Sequence, residues 1–118
     1  MTGGSADPLR EPPVRAVETI GAAVVVRLAG ELDLYNAEAV RTALAEAASS
    51  SPARVVVDLS DVDFVDSTAL GVLIEARANV GAERLVLAAP QFDTRRTLQV
   101  SGLDRHIAVH DTVEDALG

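Results

Sequence analysis

The hydrophobic pattern is densest between Val55 and Val80. Val55-Val56-Val57 is a β-branched run and predicts a buried strand that ends at Asp58. A tight segment carrying Val62, Phe64 and Val65 follows, and at Asp66-Ser67-Thr68 the spacing changes from strand to helix. Leu70, Leu73 and Ile74 recur at helical intervals until Gly81 stops the helix. Upstream, residues 14–19 form a weak strand, Gly21 a turn, and residues 23–29 a strong strand with Val24, Val26 and Leu28 on one face. These two make a hairpin. Gly30-Glu31-Leu32-Asp33 leads out of it to Asn36, an N-cap residue type, and Ala37, Val40, Leu44 and Ala47 then make one apolar helical stripe. Downstream lie a strand over residues 84–88, a helix over 93–101 stopped by Gly102, with Leu98 and Leu103 as packing residues, and a short strand over 107–109. Asp111-Thr112-Val113-Glu114 has the form of a capping box for a last helix, whose inner side carries Val113, Ala116 and Leu117. The order is β-β-α-β-α-β-α-β-α. This predicts a single α/β domain with a mixed sheet, an N-terminal antiparallel hairpin and right-handed parallel crossovers.

Composition sharpens this picture. At 118 residues the chain suits one domain that buries roughly two-thirds of its unfolded surface. Apolar residues make up 48% of the chain but aromatics only 3%, so the core must be aliphatic. Residues 1–13 hold Gly3-Gly4, Pro8 and Pro12-Pro13 without periodicity and read as a flexible tail, which leaves residues 14–118 for the domain. No apolar run approaches the ~18 residues of a membrane span, and no secretory leader is visible. The chain has no cysteine, which excludes disulfides and thiolate metal sites and fits a cytoplasmic location. A net charge of −8 repels phosphate backbones and argues against direct nucleic-acid binding.

Candidate chemistry is sparse. No phosphate-cradling glycine motif is present. His106 and His110 share a presumed strand region without an HExxH motif, and no GxSxG elbow surrounds Ser67. Metal binding and hydrolysis are therefore disfavoured, no cofactor is implied, and the chain does not read as an enzyme. Ser67 stands out by its position. It lies at the first turn of a helix that follows a buried strand, where backbone N–H groups are unpaired and the helix dipole is positive. A hydroxyl there can simply cap the helix. A phosphate there, with a charge of roughly −1.5 to −2, would be accommodated by the same N–H groups and would change the surface without unfolding the domain.

The segment from Asp58 to Ala76, DLSDVDFVDSTALGVLIEA, resembles the STAS domain family and, more narrowly, the bacterial anti-sigma factor antagonists. Asp66 matches the family's Asp, Ser67 its phosphoacceptor, Thr68 the next hydroxyl and Leu70 the buried Leu, while Ala69 stands where Gly is frequent. Gly30-Glu31-Leu32-Asp33 with Ala37-Glu38 resembles the family's turn into its first helix. The stretch from Leu98 to Leu117 resembles its ending. The resemblance implies a partner switch. Unphosphorylated, the protein would bind an anti-sigma factor that is also a GHKL-type serine kinase, and so free a sigma factor for transcription. Phosphorylation of Ser67 would release that partner, and a metal-dependent PP2C-type phosphatase would reset the switch. Asp66 would orient the hydroxyl or meet a partner cation, and Asp33 would be an acidic contact on the neighbouring loop. The run from Ala69 to Ile74 holds more apolar surface than one core stripe needs, so part of it, at Ala69 or Val72, is expected to be exposed for binding. The alternative is a STAS subunit of a lipid-transport complex or a stress-signalling scaffold.

Overall fold

The structure is a computed structural model, and it describes residues 11–118. Ten residues of the expected tail, 1–10, lie outside the described residues. Of the other three, Pro13 accepts a hydrogen bond through its carbonyl from the Ala29 N–H at 2.9 Å.

Strands β1 (Val14–Ile20) and β2 (Ala23–Leu32) form the antiparallel hairpin. Helix α1 (Ala37–Ala48) crosses to β3 (Arg54–Val65), α2 (Ser67–Val80) to β4 (Leu85–Ala88), and α3 (Phe92–Ser101) to β5 (Val109–His110). A 3-10 turn, Leu103–Arg105, precedes β5, and the short α4 spans Val113–Leu117. The described residues build a five-stranded sheet in the order β1-β2-β3-β4-β5, parallel from β2 onward. This is the mixed α/β sheet that the periodicity predicts.

Two apolar layers result. Val24, Val26 and Leu28 of β2 join Val55 and Val57 of β3, the α1 stripe (Ala37, Val40, Leu44, Ala47), and residues of α2 and α3 in the main core. The opposite face of the sheet carries Val25, Val56, Val86 and Ala88, and α4 closes it through Ala116. None of these core residues is aromatic, in keeping with the composition.

Both central strands run further than their β-branched segments suggest. Asp58 does not end β3. It is buried within the strand, and its Oδ2 accepts a hydrogen bond from Arg27 Nη1 at 2.6 Å. Arg27 lies beside it on β2 and also donates through Nε to Glu18 Oε1 at 2.7 Å. The hydrogen bonds to Glu18 and Asp58 hold the Arg27 guanidinium pKa above its ordinary value. The buried carboxylate is thus paired and hydrogen-bonded, and a paired charge can sit in a sheet that would exclude a bare one. β2 likewise passes Ala29 and ends at Leu32, with irregular register on either side of Ala29–Gly30. Gly30 has φ +77°, and a Cβ there would meet Glu11 Oε2 at 3.3 Å, so the first residue of the Gly-Glu-Leu-Asp motif suits a position that other residues enter only with strain.

β4 pairs with β3 only over Val55–Asp58, whereas β2 follows β3 as far as Val65. The last seven residues of β3, 59–65, therefore project beyond β4. Their outer edge is met by α3: Gln91 Nε2 donates to the Ser60 carbonyl at 3.0 Å and Thr94 Oγ1 to the Val62 carbonyl at 3.4 Å. This projection carries the chain to Asp66.

Candidate functional site

The site sits where β3 turns into α2. Asp66 is the N-cap, with extended backbone, and its Oδ1 accepts from the Ala69 N–H at 2.9 Å. Its carbonyl accepts from Leu70 N–H at 3.0 Å, the first bond of the helical ladder. The cap is therefore Asp66, and Ser67 becomes the first helical residue, one position later than a capping serine would stand. The N–H groups of Ser67 and Thr68 precede the first ladder bond and lie at the positive end of the helix dipole. Both side chains are exposed.

The second carboxylate oxygen of Asp66 reaches a different element. Oδ2 accepts from the Leu34 N–H at 3.2 Å, and the Asp66 N–H donates to the Leu32 carbonyl at 3.0 Å. One residue thereby caps α2 and tethers the β2–α1 loop beside Ser67. That loop is braced internally as well. Asp33 Oδ1 accepts from Tyr35 N–H at 3.0 Å, Asn36 Oδ1 accepts from Asp33 N–H at 2.9 Å, and Asn36 Nδ2 donates to the Glu31 carbonyl at 2.7 Å. Asn36 occupies the N-cap position of α1 but makes no side-chain cap bond. Its amide is used to close the loop instead.

Asp33, Asp66, Ser67 and Thr68 are thus brought together, as the sequence predicts. Ala69 and Val72 are not part of the exposed surface. Their side chains are 3% and 2% exposed and belong to the main core, so the expectation that one of them is a bare binding residue is corrected. The reason is helical phase. With Asp66 as cap, Ala69, Val72, Leu73, Ala76 and Val80 turn toward the sheet and α1. The exposed apolar residue of the run is Ile74, seven positions from Ser67 and on the same face of the helix, with Gly71 between them. Leu70 is half-buried. Arg41 of α1 bonds Glu75 of α2 at 2.8 Å and also pairs with Glu38, holding the two helices side by side.

Residues that the periodicity missed are Leu34, Tyr35 and the outward-facing Phe64, all exposed. Leu34 and Tyr35 lie between two periodic segments and so fall on no stripe. The signal that could have found them is composition: a chain with only two Phe and one Tyr, and with an aliphatic core, has to place its aromatics elsewhere.

The last helix is capped by Thr112, whose Oγ1 accepts from Asp115 N–H at 3.0 Å, one residue later than the box read from Asp111. The final strand is Val109–His110 rather than residues 107–109, and Ile107 is buried just before it. His106 follows the 3-10 turn, outside β5, so the two histidines do not share a strand face. Among the described residues no three His, Cys, Asp or Glu side chains gather as a metal site would require, and no helix is long and apolar enough to cross a membrane.

Comparison with known proteins agrees with this geometry. The chain is 33% identical over 94 residues to the anti-sigma-F factor antagonist RsfB of Mycobacterium tuberculosis, a match covering 79% of this chain and 77% of the relative. The crystal structure of an anti-sigma factor antagonist from Mycobacterium paratuberculosis superimposes with a TM-score of 0.80 at 33% identity, covering 86% of this chain and 88% of the other. The Bacillus cell fate determinant SpoIIAA in its phosphorylated form superimposes with a TM-score of 0.64 at 26% identity, covering 86% and 95%. The family model for the STAS domain matches residues 14–116, nearly every described residue, and the chain belongs to the STAS domain family.

Proposed function

We propose that this protein is an anti-sigma factor antagonist that works as a phosphorylation-controlled partner switch. With Ser67 unmodified, it binds a cytoplasmic anti-sigma factor that carries GHKL-type serine kinase activity, and the sigma factor held by that partner is released for transcription. The kinase transfers the γ-phosphoryl group of ATP to Ser67 Oγ; the bond to ADP breaks and the hydroxyl proton is lost. The phosphorylated protein dissociates, and a PP2C-type phosphatase hydrolyses the phosphoester. In this cycle the protein is a substrate and a ligand rather than an enzyme.

The observation that carries this reading is the exposed Ser67 at the first position of α2, directly after the Asp66 cap. The unpaired first-turn N–H groups favour an added phosphate, so the fold tolerates it. Across an interface the same dianion, next to the Asp66 carboxylate, meets a partner surface that fitted a neutral hydroxyl, and burying it without paired cations costs several kcal/mol. The names of the antagonist relatives, and a related chain solved in a phosphorylated form, support the same cycle.

The test uses purified wild type, Ser67→Ala and Ser67→Asp with the GHKL-type kinases of the source organism. Wild type should gain one phosphate on the peptide spanning residues 55–77, placed on Ser67 by fragmentation. Ser67→Ala should bind and stay bound in ATP. Ser67→Asp should keep its melting temperature and lose about 100-fold in affinity, about 2.7 kcal/mol. An Asp variant that binds as wild type does would sink the mechanism.

A further inference from the structure

We propose that Tyr35, Phe64 and Phe92, together with Leu34, are the anchors by which the Ser67-directed kinase grips this domain; the inference rests on the partner-switch reading above. The chain has two Phe, one Tyr and no Trp, and all three rings are outside the core, at 69% (Tyr35), 53% (Phe64) and 78% (Phe92) exposure. One exposed apolar side chain is ordinary. Here the segments that carry the three rings each meet the same short stretch, the projecting end of β3 that leads into Ser67. Phe64 belongs to that stretch, opposite Glu31 of β2. Leu34, 62% exposed, and Tyr35 hang from its end through the Leu34 N–H bond to Asp66. Phe92 sits in the first turn of α3, whose Gln91 and Thr94 side chains bond the Ser60 and Val62 carbonyls of the same stretch while the ring points out to solvent. Large rings at fixed, hydrogen-bonded positions are the residue types that dominate protein interfaces, because they bring much apolar area at little entropic cost.

The occupant follows from position and charge. A kinase that phosphorylates Ser67 must bring its nucleotide to the start of α2, and in doing so it covers the residues around that point. The stretch, the cap after it and the adjoining loop also carry Asp61 (paired with Arg15), Asp63, Asp66 and Asp33, in a protein of net charge −8. The complementary partner surface is a set of apolar pockets with a cationic rim. The rings supply grip that is independent of the phosphorylation state of Ser67, and the serine supplies the switch.

The experiment measures phosphorylation of the full chain by each purified GHKL-type kinase of the source organism with Mg-ATP, and affinity for the same kinases with Mg-ADP. Tyr35→Ser, Phe64→Thr and Phe92→Ser should each raise KM for the protein substrate and weaken binding at least tenfold with kcat little changed, the pattern of lost uniform binding. Phe64→Tyr, which keeps the ring, should behave as wild type. Val17→Ser and Val100→Ser, also exposed but on β1 and at the far end of α3, should change neither value. Melting temperatures of the Tyr35, Phe92 and Val100 variants should match wild type, because those side chains are largely exposed, while Phe64→Thr and Val17→Ser, each about half-exposed in a strand, should lower it by a similar few degrees and so serve as matched partners. If Ser67 is phosphorylated normally and the ring variants stay within twofold of wild type, the anchors are refuted while the switch stands. If the two valine controls fall as far as the ring variants, general apolarity explains the effect and the anchors are again refuted. If no such kinase modifies wild type at Ser67, both readings fall.

Discussion

Replacing Asp66 separates the two tasks of its carboxylate. Asp66→Ala removes the cap bond to Ala69 N–H (2.9 Å) and the tether to Leu34 N–H (3.2 Å) at once. Loss of an N-cap side chain costs about 1 kcal/mol. The Leu34 bond lies at an exposed position where water can replace it, so it adds about 0.5 kcal/mol. The sum, about 1.5 kcal/mol, corresponds to a Tm lower by about 6 °C or more for a domain near 100 residues. Asp66→Asn keeps an oxygen for Ala69 N–H, and Asn caps as well as Asp. It gives up the charge at the helix N-terminus and the Leu34 bond, together about 1 kcal/mol, but keeps the cap bond itself. Urea denaturation of the three proteins gives the stabilities, and amide hydrogen exchange resolves the two bonds. Exchange at Ala69 should quicken in the Ala variant alone. Exchange at Leu34 should quicken in both, since an amide nitrogen facing that N–H cannot accept. An Ala variant as stable as wild type, or an Asn variant that falls as far as Ala, would refute the assignment of one oxygen to the helix and the other to the loop.

Two further substitutions test the sheet that positions the site. Gly30→Ala forces a side chain into positive φ and against Glu11, and should lower stability by about 1–2 kcal/mol in urea; Glu11→Ala in the same background should recover little, because the strain is in the backbone. Arg27→Met leaves the Asp58 carboxylate buried without its cation and should cost about 2 kcal/mol, below the usual figure for a broken buried pair because Arg27 is partly exposed and Asp58 also accepts from Ser60 N–H. Glu18→Gln, at the exposed end of the same cluster, should cost under about 1 kcal/mol in the same urea titration.

Periodicity located each of the major elements and the Ser67 turn because each depends on local spacing. The α1 stripe, Gly81 and Gly102 as helix stops and the alternation of β2 are all properties of a few consecutive residues. What it could not locate depends on pairing between distant segments. Asp58 reads as the end of a strand until Arg27, 31 positions away, is placed beside it. Which face of α2 is buried is set by its packing on the sheet and α1, so spacing within the apolar run from Ala69 to Ile74 could not tell that Val72 is buried and Ile74 exposed. The β2–α1 loop carries no period, so its outward Leu34 and Tyr35 became visible only once Asp66 was seen to hold it. The resemblance to the STAS family supplied what spacing alone could not, namely why a serine at a helix start should be more than a cap.

The tether on Leu34 also gives the protein an optical readout of its own. Tyr35 is the only tyrosine and there is no tryptophan, so with excitation near 280 nm essentially all intrinsic emission arises from one phenol on the loop bonded to the residue before Ser67. A new anion close to that ring, or a partner that shields it from water, will alter its emission with no signal from any other fluorophore in the chain. If the proposed switch operates, stopped-flow fluorescence of the unlabelled protein, with the partner's own emission subtracted, should report changes beside Ser67 through this one ring.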